Sequence, residues 1–144
     1  TILNTMFEEL PVPTTIRYAP KSRGQILVLP GYNYSDTGWC EHTRLCTLAR
    51  NKGFDLVFVE MQRSLYLANY YKETRDDLKK HPTRVWLMDS VVKRLFDKGL
   101  LDREKPTFVM GLSTGGRGAA MLALENPGIF CAAAALSGDF LPPE

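Results

Sequence analysis

The pentapeptide Gly111-Leu112-Ser113-Thr114-Gly115 constrains this chain more than any other stretch, because of what stands on either side of it. Before it runs Thr107-Phe108-Val109-Met110, an apolar segment suited to a strand buried on both faces. After it comes an alanine- and leucine-rich stretch that reads as a helix from about Thr114 to Glu125, halted by Asn126-Pro127-Gly128. A G-x-S-x-G sequence between a strand and a helix implies a sharp turn with the serine at its apex. Such a serine takes strained backbone angles, so the positions two residues away must lack bulk, and both are glycine. Ser113 is then lifted above the strand ends, at the positive N-terminus of the next helix. It is the candidate nucleophile.

The same glycines admit a second reading, a dinucleotide-binding turn of the form G-x-G-x-x-G. Gly116-Arg117-Gly118 is followed by Ala119, Ala120 and Met121, so the third glycine is missing. Two βα units also precede this turn, whereas that fingerprint belongs to the first one. The nucleophile turn is the better fit.

The rest of the chain alternates strands with helices. Thr15–Tyr18 reads as a short edge strand bounded by prolines. Gln25–Leu29 and Phe54–Val59 read as buried strands, and residues 131–136, Cys-Ala-Ala-Ala-Ala-Leu, as a last one built from small residues. A helix is expected from about Trp39 to Lys52, capped by Ser35 or Asp36 and stopped by Gly53. Another opens at Pro82, with Val85, Met88, Val91, Val92, Leu95 and Phe96 on a 3.6-residue period, and closes at Gly99. Between them, Glu60 to Lys80 is a polar, aromatic-rich loop of a length that often carries function. Alternation of this kind predicts an α/β, three-layer αβα fold with a mainly parallel sheet and right-handed crossovers.

Composition removes several function classes. A formal charge of +2 with scattered Lys and Arg argues against nucleic acid or an acidic membrane as partner. No apolar run reaches the roughly 18–20 residues that span a bilayer, and Thr1 to Leu10 lack the pattern of a signal peptide. Cys40, Cys46 and Cys131 are odd in number and without metal-ligand spacing, so they read as inert buried or semi-buried thiols in a reducing, cytoplasmic setting, with disulfide or ligand roles as the alternative. No metal or organic cofactor is expected.

An acyl-transfer site needs two fixed donors for the oxyanion of its tetrahedral intermediate. The backbone N–H of Thr114 is one candidate. The other is the N–H of Tyr32, which follows Leu29-Pro30-Gly31 at the end of an earlier strand; the alternative there is an ordinary Pro-Gly turn. Trp39, Tyr66 and Tyr70 are candidates to line the substrate pocket, weighed against simple packing under the long loop.

From Gln25 onward, nearly the whole chain resembles the esterase group of α/β-hydrolases that includes S-formylglutathione hydrolases, tributyrin-type esterases, and feruloyl and acetylxylan esterases. The resemblance rests on Leu27-Val28-Leu29-Pro30-Gly31-Tyr32, on Trp39, and on the loop with Ser64, Tyr66 and Tyr70. It continues through residues 111–119, Asn126-Pro127 to Phe130, and Leu136-Ser137-Gly138. Two positions depart from the group, Pro30 where most relatives carry His and Thr114 where they usually carry Met. Pro30 has no N–H of its own, but the candidate donor there is the N–H of Tyr32, so the change need not abolish the hole, and Thr114 still offers its N–H. The resemblance implies a serine carboxylic ester hydrolase working through an acyl-Ser113 intermediate on small-molecule or carbohydrate-linked esters.

A serine hydroxyl needs a base, usually a His steered by a carboxylate, and in this fold the chain order is Ser, acid, His. After Ser113 come only the acids Glu125, Asp139 and Glu144, and no histidine. Asp139 is the one acid near the correct sheet edge, with a turn residue as the alternative reading. His42 and His81 lie upstream and read as surface or capping residues. The chain is therefore expected to be the N-terminal part of a single longer α/β-hydrolase domain whose later strands carry the acid and the His. A non-catalytic binding scaffold is the alternative. Ending on the strand at residues 131–136, such a piece is expected to expose a sheet edge through which copies associate.

Overall fold

Apolar side chains face both ways along the central strands, so the sheet must be covered on both sides. The computed structural model describes residues 2–5, 12–35, 38–61, 63–68, 82–138 and 140. Its strands are β1 (Ile2–Thr5), β2 (Thr14–Arg17), β3 (Gly24–Leu29), β4 (Phe54–Val59), β5 (Thr107–Leu112) and β6 (Phe130–Leu136). They form one sheet in the order β1-β2-β4-β3-β5-β6. Pairing is antiparallel from β1 through β2 to β4 and parallel from β4 through β3 and β5 to β6.

One face of the sheet presents Val28, Leu56 and Phe58 to α1 (Gly38–His42) and α2 (Leu45–Lys52), where Ala49 completes a small core. The other presents Leu27, Leu29, Val57, Val59 and Val109 to the remaining helices. These are α3 (Thr83–Trp86), a π-helical stretch Leu87–Val92 and α4 (Lys93–Asp97), which run on as one right-handed coil, and then α5 (Thr114–Glu125). The expected three-layer arrangement holds. Burying each such Leu or Val side chain is worth about 1.5–3 kcal/mol, so the two cores, not helix propensity, hold these short helices in place.

From β3 the chain steps to β4, then crosses back to β5 on the other side of β3. This reversal leaves the carboxyl ends of β3 and β5 side by side, with Leu29 paired to Gly111. Open α/β sheets bind ligands at such switch points.

Several expectations need correction. β2 is an interior strand between β1 and β4, not an edge. The helix expected over 39–52 is broken, because the Thr43 hydroxyl donates to the Trp39 carbonyl and accepts the Leu45 N–H at 3.1 Å. A side chain that bonds its own backbone in this way competes with the helix. α1 is described from Gly38 onward, and Asp36, one of the two cap candidates, lies outside the described residues. Cys40 and Cys46 are joined in a disulfide across the break, so they are not the inert thiols expected, and the thiol argument for a reducing setting falls with them. Cys131 is free and exposed rather than buried.

The second long helix also differs. Val85 is 44% exposed although its spacing put it on the apolar stripe. In the first turn Thr83, Arg84 and Trp86 face inward instead, and the wider π turn resets the phase so that Leu87, Val91, Val92, Leu95 and Phe96 meet the core. Gly53 and Gly99 end their helices with positive φ, as expected. Beyond Phe130, β6 is exposed along its length, since among the described residues only β5 pairs with it. No described helix is long and apolar enough to cross a membrane.

Candidate active site

Ser113 sits between the end of β5 and the start of α5, with φ 57° and ψ −120°. An L-residue adopts such a conformation only when its surroundings impose it. Here the imposition is visible. The Ser113 N–H donates to the Leu136 carbonyl at 2.9 Å, and the Ser113 carbonyl accepts the Arg117 N–H at 3.1 Å. The chain therefore turns from strand into helix within one residue, and the serine is left half-buried at the apex.

The glycines on either side are required by close approach. A Cβ on Gly111 would stand 2.1 Å from the Gly115 carbonyl oxygen, and a Cβ on Gly115 would stand 2.3 Å and 2.5 Å from the carbonyl oxygens of Leu29 and Pro30. The second contact also ties the turn to the end of β3. Gly116 packs against the Leu136 carbonyl as expected of a helix laid close on the sheet. Gly118 does something different, because it makes room for the Tyr66 ring.

The Leu29-Pro30-Gly31 segment is brought against this turn. A Cβ on Gly31 would lie 3.3 Å from the Leu112 carbonyl, and the Tyr34 N–H closes a turn onto the Gly31 carbonyl at 3.1 Å. Tyr32 is thus carried on a closed turn beside the nucleophile turn. Thr114 occupies the first turn of α5, where helix geometry leaves N–H groups without an intrahelical acceptor. Its side chain is buried, and among the described residues its Oγ1 finds no hydrogen-bond partner.

An apolar cavity of about 210 Å³ opens between these two turns and α1. Trp39 is in its wall, together with Tyr34, Leu112, His42 and Thr43. Tyr66 is not. It is fully buried, with its hydroxyl donating to the Pro30 carbonyl at 3.2 Å, and so it braces the Pro30-Gly31 turn from beneath. Burial pushes its phenol far above the usual range, so it stays neutral. Tyr70, His81, Asp139 and Glu144 lie outside the described residues. Glu125 is at the far end of α5 from Ser113, paired with Arg84, and His42 is on the exposed face of α1. No group of His, Cys, Asp and Glu among the described residues is placed to hold a metal.

Sequence reasoning missed Tyr34, Leu112 and Thr43 as cavity walls and the Tyr66–Pro30 brace. Each arises from contact between segments far apart in the chain, and no local pattern announces it.

A family model described as "Putative esterase" matches residues 59–143. Among curated proteins the sequence finds no significant match. Solved structures do. One is FphF, a fluorophosphonate-binding serine hydrolase of Staphylococcus aureus, with TM-score 0.71, 18% identity, and coverage of 96% of this chain and 56% of that one. A second is an S-formylglutathione hydrolase from Agrobacterium tumefaciens, with TM-score 0.70, 17% identity, and coverage of 92% and 55%. A ferulic acid esterase follows with TM-score 0.67, 14% identity, and coverage of 100% and 61%. At such identities the likeness speaks for the fold, which is that of the α/β-hydrolases. The chain spans a little over half the length of the first of these proteins.

Proposed function

The chain belongs to the esterase family, and from that premise we propose that its protein is a carboxylic ester hydrolase working through an acyl-Ser113 intermediate. The observation that carries the reading is the backbone of Ser113, held at φ 57° and ψ −120° between a strand and a helix by neighbours that only glycine can supply. Stored strain of this kind is found where function requires it.

In this reading the Ser113 hydroxyl oxygen attacks the ester carbonyl carbon and gives its proton to a base. The resulting oxyanion accepts hydrogen bonds from the N–H groups of Thr114 and Tyr32, aided by the positive end of α5. Collapse expels the alcohol, and water then releases the acid from Ser113 by the same steps. The family's chain order places the base, a His, and its acid partner after the nucleophile, and Asp139 is the candidate for the acid within this sequence. Trp39, Tyr34 and Leu112 would seat a short apolar group of a small ester in the adjoining cavity.

FphF is a fluorophosphonate-binding hydrolase, which suggests the probe. Fluorophosphonate should label the full-length protein on Ser113, and Ser113→Ala should abolish both labelling and turnover of p-nitrophenyl acetate. Labelling that survives Ser113→Ala would remove Ser113 from its role. A folded protein that takes no label would favour the non-catalytic scaffold.

A further inference from the structure

A second cavity, of about 230 Å³, lies on the α2 side of the sheet and is lined by Arg17, Tyr18, Ala19, Cys46, Arg50, Phe54 and Leu56. Two arginines line it, Arg17 from β2 and Arg50 from α2. Among the described residues neither has a carboxylate partner, although Arg84 and Arg103 each have one. Asp55, next in the chain to the lining residue Phe54, is buried and already engaged. It accepts the Ala19 N–H at 2.7 Å and the Ser22 hydroxyl at 2.6 Å, and Lys105 stands 3.9 Å away. Asp55 therefore answers other groups and leaves the pair uncompensated.

Arginine is permanently charged, and its planar fork matches the paired oxygens of phosphate and carboxylate. Two like charges facing one cavity repel each other unless an anion sits between them. The other lining residues, Tyr18, Ala19, Cys46, Phe54 and Leu56, are mostly apolar. Such a lining suits an anion that carries an organic group, such as an aromatic one.

The cavity is separate from the nucleophile. Arg17 pairs with Leu56, which is level with Ile26 and so with Phe108. Ser113 lies five residues beyond Phe108 along the strand direction, on the order of 17 Å at the rise of a strand. A substrate held at Ser113 does not explain these arginines.

We propose that this cavity is a binding site for a doubly charged phosphate-class anion, with Arg17 and Arg50 as its two ligating forks. An inorganic phosphate and an organic phosphomonoester offer the same charged group, and the apolar walls favour the second.

Isothermal titration of the full-length protein with inorganic phosphate and with phenyl phosphate, at constant ionic strength in chloride, tests this. Saturable one-to-one binding is expected, tighter for phenyl phosphate. Arg17→Gln and Arg50→Gln should each weaken it at least about tenfold, as for loss of one charge-assisted fork. Arg63→Gln, an exposed arginine off the cavity, should leave it unchanged. Arg50 is on the exposed side of α2, so Arg50→Gln decides the matter even if Arg17→Gln fails to fold. No saturable heat, or binding that Arg50→Gln leaves intact, would overturn the site. Phosphate binding with no gain for phenyl phosphate would assign it to the free ion. Esterase activity plays no part in the readout, so the result stands apart from the proposed function.

Discussion

Thr114 concentrates the question of which atoms do the chemistry. Its N–H is the proposed oxyanion donor, while its hydroxyl is buried without a partner among the described residues. A buried hydroxyl with no partner loses its hydration and gains nothing, at about 1–3 kcal/mol. Thr114→Val keeps the shape and the N–H and removes the hydroxyl. It is expected to raise the unfolding free energy by about 1 kcal/mol in urea titration and to leave kcat/KM within about threefold. A drop of a hundredfold would mean that the hydroxyl itself takes part. The neighbouring glycines offer no such tolerance, because a Cβ at Gly111 or Gly115 meets backbone rather than a movable side chain.

Among the elements, the end of α5, the start of α3 and the segment 63–68 are locked by one side chain. Arg84 is buried and donates from Nε and Nη2 to the two carboxylate oxygens of Glu125 at 3.0 and 2.8 Å, and from Nη1 to the Tyr66 carbonyl at 3.0 Å. Its own N–H donates to the Leu67 carbonyl. Arg84 thus fixes the stretch that carries Tyr66, and Tyr66 in turn props the Pro30 turn. Arg84→Ala removes these side-chain bonds and strands the Tyr66 carbonyl, so a loss of about 2–4 kcal/mol is expected in urea unfolding. Glu125→Gln should lose only about 1 kcal/mol, because the Glu125 side chain is 44% exposed and the pair is partly screened. Equal losses would contradict this division.

At the scale of the molecule, stability should fall on the alkaline side. The phenols of Tyr66 and Tyr18 are both raised above their ordinary value of 10.0 by burial, with the Asp55 charge adding to the effect at Tyr18. The unfolded chain then loses protons that the folded one keeps. Their contribution is fully present below about pH 10 and is lost as pH rises beyond it. Tyr66→Phe should flatten the decline in urea midpoint above pH 10 compared with wild type; an unchanged slope would show that Tyr66 does not report on folding. Assembly follows from the other side of the sheet. Residues 131–136 are exposed and carry an unpaired strand edge among the described residues, which invites pairing with a further strand. Expressed as these 144 residues, the chain should show concentration-dependent association by light scattering, and Ala133→Pro should suppress it. A single ~16 kDa species at all concentrations would rule the edge contact out.

The sequence by itself determined the parts that rest on local pattern. Apolar runs located β3, β4 and β5, the approximate span of α5 was legible, and G-x-S-x-G between strand and helix marked Ser113 as the candidate nucleophile, because strand periodicity, helix stops and turn glycines act within a few residues of themselves. It misread what depends on partners elsewhere. Thr15–Tyr18 became an interior strand once β1 lay outside it. The period through Val85 yielded to an inward Arg84 and a π turn. Cys40 and Cys46 came within bonding reach only because Thr43 broke the helix between them. Tyr66 went into the core through the gap left by Gly118, 52 residues away in the chain. Only the tertiary structure could settle these, since each is decided by which surfaces meet across the sheet, and a chain read in order contains no term for that.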